Sequence, residues 1–184
     1  MNTKASSPRT EPRPVAEPAT TAATILGGQV REILAPTDFS EASRAAVRYA
    51  AQFARRCGAA LTLMSVADFY LADGLDLRLD YARLADEIKI QTGKRLLHWV
   101  DELGGAALKV DTVVRVGRPW KEITETARQR NTDLIILGTQ GHTGLKHALF
   151  GSTAERVVRH APCPVLVVRS TEAVPLKPIG NPQP

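Results

Sequence analysis

Apolar positions along the chain change period repeatedly, and those changes mark out alternating strands and helices. Arg31–Ala35 (REILA) is predicted to be a short strand ending at Pro36-Thr37-Asp38. Ser40 is an N-cap residue type. Ala42, Ala46, Tyr49, Phe53 and Cys57 then recur at three- and four-residue steps, which predicts a helix stopped by Gly58. Ala60–Ala67 (ALTLMSVA) is the second strand. Tyr81, Leu84, Ile88, Trp99, Val100 and Leu103 outline a long helix ended by Gly104-Gly105. Leu108–Val116 alternates as a third strand, and Pro119 opens a helix running to about Arg130. Asp133–Leu137 (DLIIL) is apolar almost throughout, as a central strand covered on both faces would be. A glycine-bearing loop, a helix Ser152–His160 and a strand Val165–Val168 complete the pattern.

Strand and helix in regular alternation specify an α/β domain with a parallel sheet and right-handed crossovers. A five-stranded sheet in the order 3-2-1-4-5, with helices on both faces, has its switch point between strands one and four. Ligands of such sheets sit at the carboxyl ends of the strands at that point. Asp38 and Gly138 would face each other there. Residues 29–170 form this domain. Residues 1–28, rich in Pro, Ala, Thr and Ser, and the Pro-rich residues 171–184 lack apolar periodicity, so they are expected to be a disordered arm and a flexible tail.

Composition narrows the function classes. The 184 residues are 43% hydrophobic and 23% charged, ordinary for a globular protein. No run approaches the ~18 apolar residues of a membrane helix, and no apolar leader is seen, so no membrane role and a cytoplasmic setting are expected. The net charge of +5 is spread without a block of Lys/Arg, and aromatic residues are few, which argues against a nucleic-acid partner. Cys57 and Cys163 form no CxxC motif and read as core residues; the four histidines show no metal-ligand spacing.

The candidate chemistry lies after strand four, in Gly138-Thr-Gln-Gly141-His-Thr-Gly144-Leu-Lys-His-Ala-Leu-Phe-Gly151-Ser152-Thr153. It matches neither a P-loop nor a dinucleotide fingerprint. Its physics is related, because glycines let backbone N–H groups approach an anion and Gly151-Ser152-Thr153 opens a helix. Pattern alone leaves a plainer reading open, in which Ser152-x-x-Glu155 is a capping box and the glycines are turn residues. Likewise Asp38 could serve as a helix cap, and Val66 as plain core.

The spacing G-x2-G-x9-G-[ST] resembles the ATP-binding signature of the universal stress protein family. Ile33–Ser40 is similar to that family's first strand and loop, Asp133–Gly138 with Gly151–Val158 to its fourth strand and phosphate helix, and Ala161–Val168 to its last strand. The resemblance spans about Arg31 to Arg169. It implies a Rossmann-like (adenine nucleotide α-hydrolase-like) domain that binds ATP, with magnesium an optional companion, and acts in stress response through conformation or partners. It further implies that Pro36, Thr37 and Asp38 line the adenosine end, with Asp38 accepting from the adenine amino group, and that Val66 packs on the base. Leu137 and Gly138 would lie along the ribose, Gly141 near the phosphates, and Gly151, Ser152 and Thr153 would donate to them. Gln140 and His142 stand where the family often has Arg, Lys or His, which leaves the loop less cationic. No Walker lysine, placeable arginine finger or general base is evident, so slow ATP hydrolysis is the enzymatic alternative and an interaction module without nucleotide the other. His142 reads as a loop-surface residue. Family members pair through the last strand, which implies a homodimer formed by Val165–Val168 and would cover an exposed edge.

Overall fold

The computed structural model describes residues 29–68, 80–104, 108–139 and 151–169. In chain order they form β1 (Glu32–Pro36), α1 (Glu41–Cys57), β2 (Ala60–Ala67), α2 (Asp80–Glu102), β3 (Val110–Val116), α3 (Pro119–Gln129), β4 (Leu134–Gly138), α4 (Ser152–His160) and β5 (Val165–Val168). The arm 1–28, the tail from 170 and the loop 140–150 lie outside the described residues, so Gly141 and His142 do too.

The sheet has five strands in the order β3-β2-β1-β4-β5, every pairing parallel. This is the doubly wound order that the alternation predicts. β1 pairs with β2 through Glu32↔Ala60 to Pro36↔Met64 and with β4 through Ile33↔Leu134 and Leu34↔Ile135. The chain therefore winds outward through β2 and β3, then returns across β1 to add β4 and β5.

Period-two alternation divides the strand side chains between two cores. Ile33, Ala35, Leu61, Leu63, Leu134 and Ile136 point to one face, where Val47, Ala50, Ala51 and Ala54 of α1 and Leu96 and Trp99 of α2 cover them. Leu34, Met64, Ile135 and Leu137 point to the other, under Ile123 and Ala127 of α3 and Ala154 and Val157 of α4. Ile33, Leu34, Leu61, Leu63, Met64, Ile135 and Ile136 are fully buried, each contributing about 1.5–3 kcal/mol of hydrophobic stabilisation.

Local chemistry sets the helix limits. Ser40 Oγ accepts the Ser43 N–H to cap α1, and Gly58 at φ 66° ends it by donating to Ala54 O. Only a residue free of Cβ strain adopts that left-handed turn at no cost.

Several boundaries and faces differ from the expectation. β1 and β4 each lie one residue further along the chain than predicted, and β3 starts two residues later. The face of α1 that meets the sheet is made by Ser43, Ala46, Val47, Ala50, Ala51 and Ala54, while Ala42, Tyr49 and Phe53 are only partly buried. A helix lying close on a sheet needs small side chains at the contact, and the aromatic pair is left to the margin. Cys57 is buried as predicted, whereas Cys163 precedes β5 and is half-buried. Burial pushes both thiols above their ordinary pKa; at Cys163 the Asp133 carboxylate adds to the effect.

Candidate functional site at the carboxyl end of the sheet

One cavity of about 450 Å³ opens where β1 and β4 separate. That is a size typical of small-molecule sites. Pro36, Thr37, Asp38, Val66, Leu137, Gly138, Gly151, Ser152 and Thr153 all line it. Every sequence-predicted site residue that the structure describes is therefore brought to one place. Ser43, Asp68, Pro119, Ile123, Thr139 and Ala154 join them and were not anticipated.

The wall at β1 is a hydroxyl network. The Thr37 N–H donates to Met64 O (2.7 Å), which seats the loop on β2. Ser43 Oγ donates to Ser40 O (2.9 Å) and pairs with Thr37 Oγ1 (2.9 Å). With Ser43 donating to the carbonyl, Thr37 donates to Ser43 and keeps a lone pair for the Phe39 N–H (2.9 Å). Asp38 Oδ1 accepts both the Ser40 N–H (3.0 Å) and Ser40 Oγ (2.6 Å). Asp38 thus braces the cap rather than forming it; the capping residue is Ser40. Between them Phe39 has φ 65°, a left-handed conformation that is a genuine outlier for an aromatic residue and costs on the order of 1–3 kcal/mol.

At β4 the backbone of α1 comes close. A Cβ on Gly138 would stand 2.8 Å from Ala42 O and 3.0 Å from Ala42 C. Glycine is required there because the helix backbone occupies the side-chain position. Gly138 thereby lets the first turn of α1 pack against the end of β4.

The opposite wall is the start of α4. Gly151 is its N-cap at φ −70°, ψ 156°, and makes no side-chain capping bond. Its N–H donates to Thr139 O (2.7 Å), while the Thr139 N–H donates to Val168 O (3.0 Å). Thr139 therefore clasps the two ends of the 140–150 excursion together beside β5. The N–H groups of Ser152, Thr153 and Ala154 follow in the first turn, where an α-helix offers no internal acceptor. No partner meets them among the described residues, and all three residues line the cavity. The capping-box reading of Ser152 and Glu155 is overturned, since Ser152 is the first helical residue and Glu155 pairs with Arg159 (2.8 Å). Val66 is half-buried, packs on the second core and lines the cavity, so it serves in both capacities.

The electrostatics are asymmetric. Asp38 and Asp68 supply carboxylates on the β1–β2 side, and the α4 dipole supplies positive potential on the other. Pro36, Val66, Ile123 and Leu137 form apolar walls between them. Among the described residues that line the cavity there is no Lys or Arg, and no group of three or more His, Cys, Asp or Glu is placed to hold a metal ion. A flat apolar ring with polar edges and an anionic tail matches this order of surfaces.

A profile of the universal stress protein family matches residues 29–169. The chain belongs to that family. Universal stress protein MJ0531 of Methanocaldococcus jannaschii is 35% identical over 140 residues, covering 76% of this chain and 82% of the relative. MJ0577 of the same organism is 31% identical over 153 residues, covering 76% and 94%. Among solved structures, universal stress protein UspA of Lactobacillus plantarum superposes with a TM-score of 0.70 at 30% identity, covering 77% of this chain and 99% of that one. A universal stress protein in complex with cAMP shares the fold at 21% identity, with a TM-score of 0.58 over 78% of this chain and 100% of that one. Among the described residues no helix is long and apolar enough to cross a membrane.

Proposed function

We propose that this chain binds ATP, or a related adenine nucleotide, in the crevice between β1 and β4, and acts in stress response through conformation or partners. One observation carries the reading: the N–H groups of Ser152, Thr153 and Ala154, which meet no partner among the described residues, border a cavity whose far side is apolar and carboxylate-lined. Helix N-termini of this kind are anion sites by construction. In this reading Asp38 accepts from the adenine amino group, Val66 packs on the base, and Leu137 and Gly138 run along the ribose. Gly151, Ser152 and Thr153 donate to the phosphates, with Gly141 beside them. That a universal stress protein of the same fold is known with cAMP is in keeping with an adenine ligand. A magnesium ion accompanying the nucleotide would be held by the phosphates and by water, in the usual manner of that ion.

The setting that goes with this reading is cytoplasmic, and the assembly is a homodimer through β5. β5 is an edge paired only with β4 among the described residues, and Val165 to Val168 are each only partly buried. A second copy would cover it. A monomer by light scattering at micromolar concentration would count against the dimer.

One assay tests the functional reading. The purified protein is treated with acid, the released nucleotide is chromatographed, and phosphate release from added ATP is followed over hours. Adenine nucleotide with negligible turnover is the expected result. Rapid turnover would assign the protein to the ATPases, and an empty crevice that takes up no added nucleotide would make it an interaction module.

A further inference from the structure

We propose that Phe39 is the positioning residue that sets the adenine selectivity of this crevice, by pinning the Asp38 carboxylate in place from the opposite face of the sheet. The inference rests, for its ligand, on the nucleotide reading above. Asp38 and Phe39 are consecutive but project to different sides. Asp38 lines the cavity, whereas Phe39 packs onto the core under α1 and α2. There its ring meets Trp99 edge-on (centroids 5.3 Å apart, planes at 82°), and the Arg95 guanidinium lies over its face at 3.9 Å. Arg44 of α1 covers the same Trp99 at 4.8 Å, so the aromatic pair is held by cations from both helices.

The left-handed φ of 65° at Phe39 turns the chain so that Ser40 N–H and Oγ both reach Asp38 Oδ1. An aromatic residue does not adopt that conformation by preference, so something else must hold it. The packed ring is the anchor: if it leaves Trp99 and Arg95, the turn relaxes to negative φ and the carboxylate loses its fixed bearing. Strain at residue 39 is thus coupled to the direction of a carboxylate at residue 38. A fixed carboxylate accepts from the amino group of adenine and rejects the carbonyl oxygen that hypoxanthine carries at the same position. A wandering one does neither.

The test uses the full chain and the variants Phe39→Ala, which keeps a Cβ and so the strain of the left-handed turn but has no ring, and Phe39→Tyr, which keeps the ring. Affinities for ATP, ITP and inorganic tripolyphosphate are measured by equilibrium dialysis, and exchange of the Ser40 amide is followed by NMR without ligand. In the parent chain ATP is expected to outbind ITP by about tenfold or more, as sites built around a substrate hydrogen bond do. In Phe39→Ala that ratio falls to within about threefold while tripolyphosphate affinity holds, and Phe39→Tyr retains the parent ratio. The Ser40 amide exchanges about tenfold faster in Phe39→Ala, with β4 amides unchanged. Unchanged Ser40 exchange in Phe39→Ala overturns the inference whether or not nucleotide binds. Equal loss of all three ligands overturns it as well, since that is what a purely structural residue would do. A parent chain that binds no nucleotide, with Ser40 exchange responding as described, overturns the functional reading and with it the selectivity role, but leaves the Phe39 anchor standing.

Discussion

The two ends of the sheet differ in where their backbone donors find acceptors. At the amino end, Asp133 Oδ2 accepts the N–H groups of Arg31 (2.8 Å) and Glu32 (2.9 Å). Beside it Arg130 donates to Thr62 Oγ1 (3.1 Å) and to Asp111 Oδ2 (2.6 Å). Those groups find partners far along the chain and tie neighbouring strands together. At the carboxyl end, Ser152, Thr153 and Ala154 present N–H groups that no described residue meets, and the left-handed Phe39 holds a carboxylate at the cavity wall. The first N–H groups of an α-helix have no internal acceptor, and where they border a cavity an anion can supply one. Among the described residues, the donors at the amino end are matched and those at the start of α4 are not.

Substitutions at the two ends should therefore separate stability from binding. The largest effect is expected from Gly151→Leu. The backbone at φ −70°, ψ 156° accepts any residue, so the fold survives while the side chain fills the mouth of the cavity. Nucleotide affinity should drop on the order of a hundredfold or more with little change in melting temperature. Unchanged retention in that variant would remove the site assignment. Asp133→Ala should do the reverse. It strands two backbone donors at the amino end, costing about 1–2 kcal/mol and lowering the melting temperature by about 3–6 °C, while dialysis finds affinity unaltered.

Ser152→Ala is a smaller and more pointed probe. Because Gly151 and not Ser152 is the N-cap, stability should hold, and affinity should fall about three- to tenfold from one lost hydroxyl donor. A loss of about 1 kcal/mol of stability instead would restore the capping reading. The smallest effect concerns pH. The hydrogen bond and charge of Arg130 hold the Asp111 carboxyl below its ordinary value of 3.8. A depressed folded pKa stabilises above the unfolded value and is lost as pH falls through the folded one. The contribution should therefore be complete at neutral pH and vanish on acidification below about pH 4. Asp111 is 59% exposed, so solvent screening limits the pair to a few tenths of a kcal/mol. Acid titrations of the parent chain and Asp111→Asn, followed by melting temperature, should converge at the acid end.

Much of this was legible because local signals and global order agree. Ser40 and Gly58 announce the limits of α1 and occupy the cap positions. The run from Leu134 to Leu137 is buried on both faces, as its composition required. Order 3-2-1-4-5 then brought Asp38 and Gly138 to one crevice. What the pattern missed depends on packing. Large residues such as Tyr49 and Phe53 draw the eye in a helical stripe, but α1 meets the sheet through alanines. Asp68 and Pro119 escaped notice because neither belongs to a glycine motif, although each follows closely on the end of a strand. Scanning every strand terminus, rather than the glycine loop alone, would have found them. The left-handed Phe39 has no sequence signal, since its conformation is dictated by Trp99 and Arg95 on a helix far along the chain.

The pairing of β1 with β4 joins residues about a hundred positions apart. Contacts of such long range are slow to close and are made only after most of the chain is available. Because the crevice lies in that seam, its two walls come from opposite halves of the polypeptide, and a chain still emerging from the ribosome has only one of them. A ligand held there would stabilise the closed seam by mass action and nothing earlier. A fragment that stops before α4 lacks the second wall and so has no such crevice to offer.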